Sequence, residues 1–291
     1  MSDAPRDRAA HEVSWQLDGR RVAGQCWGEP GQRPLLALHG WLDNSASFAR
    51  LAPDLAKYHV VAPDLCGHGY SDHRSADGGY QIWDDLADLE RIVDALGWET
   101  FYLVGHSRGA VIASLLASVL ADRVERLVLL DGLLPPPLPE EAVVEQMRRY
   151  LEDRRRLPAK AMRTYPDIET AVLARKQRGI TAGSARLLVE RNLRPVTGGY
   201  RWRTDPRLQG ASAMKLTAGQ SEAVVRALTM PTLILLASDR LEGTVEFAGE
   251  QMPGANLVRV EGNHHFHMDG DIAELVSCVE SFLQPAAEGT G

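Results

Sequence analysis

The feature that most restricts how this chain can fold is an alternation of short apolar runs with amphipathic stretches. Six runs, residues 34–38, 59–62, 101–104, 127–130, 232–236 and 257–260, lie between Gly and Pro punctuation. None alternates polar with apolar positions, so each suits a strand buried on both faces. Between most of them the apolar residues fall three and four apart. Ile82, Leu86, Leu89, Ile92, Val93 and Leu96 form one such series, and Val111, Leu115 and Val119 another. This is the spacing of a helix face. Strands that alternate with helices build a mostly parallel sheet covered by helices. Residues 12–17 and 22–27 flank Asp18-Gly19 and predict an antiparallel hairpin at one edge.

From Gly132 to Gly219 the alternation stops. Three consecutive prolines, Pro135 to Pro137, lead into helical segments at 140–156, 167–178 and 184–193. A Gly198-Gly199 turn follows, with Tyr200 and Trp202 beside it. The stretch reads as a helical lid inserted after the sixth strand. It leaves residues 1–131 and 220–291 as an α/β core and 132–219 as the lid. The two parts differ in charge. The lid has 17 Lys and Arg against 9 Asp and Glu, a net +8, and the remainder carries −15 of the overall −7.

That overall charge lacks the basic footprint of a nucleic-acid binder, so nucleic acid is not an expected partner. Cys26, Cys66 and Cys278 are an odd number without zinc-finger spacing, which argues against a disulfide framework or a structural zinc site. The first twenty residues alternate charge with single apolar residues, unlike a secretory signal. The longest run of apolar and small residues, 110–121, falls well short of the roughly 20 needed to span a bilayer. A cytoplasmic protein without a membrane partner is the expectation.

Gly105-His106-Ser107-Arg108-Gly109 is a G-x-S-x-G, a weak pattern alone that gains meaning from its place. A strand run precedes it and an amphipathic helix follows, the strand-turn-helix setting of a nucleophile elbow. The glycines have a mechanical reason there, since a Cβ beside the strained turn would strike the neighbouring strand or helix. Acyl transfer also needs two N–H donors for the developing oxyanion. The expected pair is the amide of Arg108, just after the serine, and that of Trp41, in the turn after Leu36-Ala37-Leu38-His39-Gly40. His39 itself reads as scaffold, bonded to its own loop.

A serine nucleophile needs a base, and the base an orienting acid. Among nine histidines, His264 lies just past the last strand run, at the carboxyl edge where ligands collect in open α/β sheets. His106 adjoins the serine, but neighbours at a sharp turn point apart. His264, His265, His267 and Asp269 together form a metal-like cluster without supporting ligand spacing, so no metal is expected. Two residues compete as the acid. Asp239 follows the fifth run and supplies the order Ser, Asp, His, which makes it the first choice. Asp131 ends the neighbouring run and is the alternative. The loop from Asp64 through Cys66, Gly67-His68-Gly69 and Ser71 reads as a rigid, hydrogen-bonded corner, with no basic partner for Cys66 nearby in sequence.

With these residues in place, the chain resembles the α/β-hydrolase superfamily along nearly its whole length. Within it, the serine hydrolase-like subgroup is similar at His39-Gly40-Trp41-Leu42-Asp43-Asn44 with Ser47-Phe48, at residues 201–208, and at Gly262-Asn263-His264 with His267-Met268. The resemblance implies an eight-stranded, mostly parallel sheet flanked by helices, a helical cap after the sixth strand, a Ser107–His264 pair with an acid, and no cofactor. Arg108 departs from the pattern, standing where relatives usually carry an apolar or amide residue, and Cys66 replaces a common Arg. Ser rather than Asp at 107 sets the chain apart from dehalogenases and epoxide hydrolases. The expected function is a serine hydrolase acting on an ester-like small molecule. The alternatives are a carbon-carbon hydrolase or lyase with the same triad, or a non-catalytic ligand-binding member of the fold. The arginines of the lid, with Arg108, suggest an anionic substrate; a solvated basic outer face is the competing explanation.

Overall fold

Two strands, β1 (His11–Leu17) and β2 (Arg20–Trp27), are joined at Asp18-Gly19, where both residues take positive φ. That is the backbone of a two-residue hairpin turn whose twist matches the strands it joins. The structure, a computed structural model, describes residues 9–238, 247 and 250–284. The chain continues through β3 (Arg33–Leu38) and β4 (Tyr58–Pro63), then α1 (Asp84–Ala95), β5 (Phe101–His106), α2 (Arg108–Val119) and β6 (Val124–Leu130).

A mainly helical segment comes next: α3 (Val143–Arg156), α4 (Ile168–Lys176), α5 (Ala182–Asn192) and a small antiparallel pair, β7 (Leu193–Val196) with β8 (Gly199–Trp202). Then α6 (Ala218–Arg226), β9 (Thr232–Ala237), β10 (Asn256–Val260), the short α7 (Phe266–Asp269) and α8 (Ile272–Leu283) complete the described chain. Among these, no helix is long and apolar enough to cross a membrane.

The main sheet has eight strands in the order β1-β2-β4-β3-β5-β6-β9-β10. From β4 to β10 every pairing is parallel, while β1–β2 and β2–β4 are antiparallel. This is the expected fold, with the hairpin at one edge. Every residue of β4, β5 and β9 is buried, which is why those runs show no polar alternation. Leu36, Leu103, Leu129 and Ile234 pack with α1 and α2 on one face. Leu35, Val104, Leu130 and Leu235 pack with α8 on the other.

The sequence reads only a turn at Gly198-Gly199. The structure adds strand pairing on both sides of it, because β7 and β8 are too short and too polar to register as buried runs. The helical segment has its own apolar cluster, with Tyr165, Val172, Leu188 and Val189. It is tied to the sheet by Arg191, whose Nε lies 3.0 Å from both carboxylate oxygens of buried Asp64, with Glu12 on the other side of the guanidinium. Asp64 also accepts from the amides of Ser45 and Tyr70, at 2.8 Å each. The Asp64–Ser71 loop is therefore the rigid corner that the sequence suggests.

The elbow between β5 and α2 is possible only because two residues lack a side chain. A Cβ at Gly105 would lie 2.4 Å from the Gly109 carbonyl oxygen, and one at Gly109 would lie 2.1 Å from that of Leu38 in β3. Gly109→Ala should therefore cost about 3 kcal/mol, because backbone must move to admit the methyl group. Gly183, in the first turn of α5 with open space around its Cβ position, should instead gain about 0.5–1 kcal/mol as Ala. Chemical denaturation of the two variants should show shifts of opposite sign, and two shifts of the same sign would contradict this account of the elbow.

Candidate active site

Ser107 closes β5 and caps α2 with φ 53°, ψ −116°, a backbone state that costs a non-glycine residue of order 1–3 kcal/mol. Its amide donates to Leu130 O at 2.9 Å, and its carbonyl accepts from Ala110 at 2.9 Å. The turn lifts the hydroxyl off the end of the strand and sets it at the start of α2, where the helix dipole favours negative charge. His106 and Leu130 are register partners in β5 and β6. The residues after them, Ser107 and Asp131, thus leave the sheet side by side.

Asp131 also has positive φ, 49°. Its amide donates to Leu235 O at 2.8 Å, and its Oδ1 accepts from the Ala237 amide at 3.0 Å. Oδ2 faces His264 Nδ1 in a direct hydrogen bond. On the far side of the same ring, Nε2 lies 2.9 Å from Ser107 Oγ. With the Nδ1 proton donated to Asp131, Nε2 is left as an acceptor for the serine proton. Burial disfavours the charged form of Asp131, but the His264 and Ala237 hydrogen bonds outweigh it and hold the carboxyl below its usual range.

Of the sequence-derived candidates, the structure brings together Ser107, His264 and Asp131. Asp239, the first choice for the acid, lies outside the described residues. The amides of Trp41 and Arg108 donate to no protein acceptor among the described residues. The Trp41 ring is half exposed, and its Nε1 donates to Leu208 O at 2.8 Å. The Arg108 side chain turns to Asp85 of α1, with Nη2 2.8 Å from Oδ2.

His39 is part of the scaffold, its Nδ1 donating to Gly40 O and its Nε2 accepting from the Leu65 amide. Cys66 does have a basic partner. Arg20, from the opening hairpin, places Nη1 2.8 Å from Sγ. Burial nevertheless pushes the thiol up, so Arg20 does not make it a thiolate. The clustered histidines diverge to separate partners: His267 Nε2 is 2.7 Å from Ser47 Oγ and His265 Nε2 is 3.4 Å from Asp43. Asp269 accepts from Thr181 and Asn263. Among the described residues, no group of three or more His, Cys, Asp or Glu is arranged to hold a metal.

A supporting layer behind His264 is not evident in the sequence. His106 Nε2 donates to the backbone oxygen of His264 at 2.8 Å, fixing the candidate base from behind. Asp43, fully buried, pairs with Arg175 of α4 and with His265. Burial opposes its charge, but the His265 hydrogen bond and the Arg175 charge prevail and keep the carboxyl below the usual range. Asp85 has a signal that was available: it shares the helix face of Leu89 and Ile92, and an acid on a buried face needs a cation.

Ser107 and His264 open into a cavity of about 530 Å³, lined by Val111, Leu134, Pro136 and Phe247 among others. A pocket of this size with an apolar lining and few polar groups is the form that small-molecule sites take.

Five buried histidines bear on stability, among them His59, which burial also lowers. Burial lowers His39, His68 and His267, and it lowers His106 to about 3 from an ordinary 6.5, with His265 and His264 adding to the effect. The unfolded chain therefore binds more protons below pH 6.5 than the folded one, and their contribution to stability is full above that pH and lost as pH falls. Asp43 and Asp131, also depressed, add the same sign at lower pH. Denaturant midpoints should fall progressively from about pH 6.5 down to pH 4.5, and constant midpoints across that range would contradict these histidines being held neutral.

Known proteins resemble this chain in sequence and fold. Residues 33–164 match the family model for the alpha/beta hydrolase fold. A serine hydrolase-like protein from Danio rerio is 32% identical over 295 residues, covering 96% of this chain and 90% of its own. A hypothetical protein from Pseudomonas aeruginosa PAO1, known as a crystal structure, is 38% identical with a TM-score of 0.87, covering 93% of this chain and 98% of that one. A thioesterase domain from the curacin biosynthetic pathway is 26% identical with a TM-score of 0.86, covering 94% of this chain and 99% of that one. The chain belongs to the α/β-hydrolase family, among the serine hydrolase-like proteins.

Proposed function

We propose that the protein hydrolyses a carboxylic ester of a small molecule in the cytoplasm through an acyl-enzyme, with Ser107, His264 and Asp131 as the catalytic residues. The observation that carries this reading is the 2.9 Å approach of Ser107 Oγ to His264 Nε2, with Asp131 on the opposite ring nitrogen. Ser107 Oγ bonds to the acyl carbon as its proton passes to Nε2. Asp131 holds the ring in the receptive tautomer and stabilises the imidazolium that forms. The tetrahedral oxyanion accepts from the amides of Arg108 and Trp41, which have no protein acceptor among the described residues. The bond to the alcohol oxygen then breaks as His264 returns the proton to it. Water repeats the sequence at the acyl carbon and restores the serine hydroxyl.

In this reading residues 132–219 act as a lid on a core formed by 1–131 and 220–291, and the cavity beside Ser107 takes the substrate. No step requires a cofactor or a metal. Asp131 is preferred over Asp239 because it already holds the His264 ring and is itself held by a β9 amide.

Turnover of 4-nitrophenyl butyrate tests both the nucleophile and the acid. Ser107→Ala should lower kcat by about 10³-fold or more. Asp131→Asn should lose a similar amount, because the ring loses its orienting acceptor, while Asp239→Asn stays within a few-fold of wild type. Undiminished turnover in Ser107→Ala overturns the mechanism. A crippled Asp239→Asn beside an active Asp131→Asn reverses the assignment of the acid.

A further inference from the structure

Arg108 stands where two lobes of the site meet. One is the cavity of about 530 Å³ that holds Ser107 and His264. The other, about 310 Å³, is lined by Trp41, Trp83, Leu115, Met214 and Leu216. Arg108, Val111 and Pro135 line both lobes. Among the described residues of either lining, the acid is Asp131, and its carboxylate is already engaged by His264 and Ala237. The lining cations are Arg108 and Lys215.

The arginine is held by a file of alternating charges that enters from the opening hairpin. Arg20 binds Asp88 at 2.8 Å, Arg74 binds the same carboxylate at 2.7 Å and approaches Asp85 at 3.6 Å, and Arg108 closes the file on Asp85 at 2.8 Å. Three guanidinium groups face two carboxylates, so one positive charge is left over. At the end of the file nearest Ser107, Arg108 Nη1 is buried and donates to no acceptor among the described residues. Ser221, 2% exposed and lining the Ser107 cavity, also keeps a buried hydroxyl without a partner among the described residues. A buried donor without an acceptor costs about 1–3 kcal/mol, and a ligand oxygen that reached either group on binding would relieve that cost.

We propose that the substrate carries a carboxylate remote from the scissile ester, and that Arg108 with Ser221 binds it. This deepens the ester-hydrolase reading by naming a substrate class. Asp85 holds the guanidinium in place beforehand, so little side-chain freedom is lost on binding. The apolar second lobe suits the uncharged remainder of the molecule. Arg108 therefore has two separable roles: its amide serves the oxyanion and its side chain serves specificity.

Binding without turnover tests the proposal directly. Calorimetric titration of the Ser107→Ala protein should show monomethyl adipate binding about 10-fold or more tightly than methyl hexanoate, its uncharged counterpart. Arg108→Met in that background should abolish the difference, Arg108→Lys should restore part of it, and Ser221→Ala should reduce it. Because Arg108→Met strands the buried Asp85 carboxylate, the Asp85→Asn/Arg108→Met pair is measured alongside and should lose the difference as well. Equal affinity for the two esters, or a preference that survives both Arg108→Met proteins, overturns the proposal. Neither result depends on turnover, so failure here is distinct from failure of the ester-hydrolase reading, which the kinetics of Ser107→Ala decide.

Discussion

Everything at the site depends on one strained backbone residue. Ser107 is held at positive φ by the packing of β5, β3 and α2, with carbonyl oxygens lying where any side chain at Gly105 or Gly109 would have to go. Strain of this kind persists only when the surrounding structure over-determines it. Here the determinant is the buried parallel middle of the sheet, whose strands are wedged between two apolar layers and cannot shift to relieve the turn. The same sheet sets the partner of the base. Because β5 and β6 are in register up to His106 and Leu130, the next residues on the two strands, Ser107 and Asp131, both reach His264, one at each ring nitrogen.

The histidine is positioned as much by what lies behind it as by what it touches. His106 is held neutral by burial and anchors the backbone of His264, while Asp43 joins Arg175 of α4 to His265 on the same loop. The helical segment and the loop that carries the base are thus linked through one buried carboxylate. Removing a single partner from such a group leaves an uncompensated buried charge, which costs about 3–5 kcal/mol. The link therefore constrains where α4 can sit relative to the base.

Local signals made the fold and the proposed nucleophile legible. Apolar runs without alternation marked the buried strands, Asp18-Gly19 marked the hairpin, and glycines around a serine between strand and helix marked the elbow. His264 followed from its position past the last strand. The acid was not readable, because Asp131 and Asp239 both follow strands near the base, and the choice rests on which strand lies in register with β5. Arg20 beside Cys66, Asp85 beneath Arg108 and Arg175 on Asp43 escaped for a related reason: each pair is 23 or more positions apart, up to 132. Pairing at such distances is decided by topology. The β7–β8 hairpin escaped because its strands are short and half exposed, so only its glycines left a trace.

On the proposed mechanism, the geometry around Ser107 makes this one hydroxyl, among fifteen serines in the chain, a nucleophile. Peptide mapping by mass spectrometry after brief exposure to a fluorophosphonate reads that property at the residue itself. An adduct confined to the peptide containing Ser107, and absent from His264→Ala, is the expected outcome. An unmodified Ser107, or an adduct that forms as readily without His264, would contradict it.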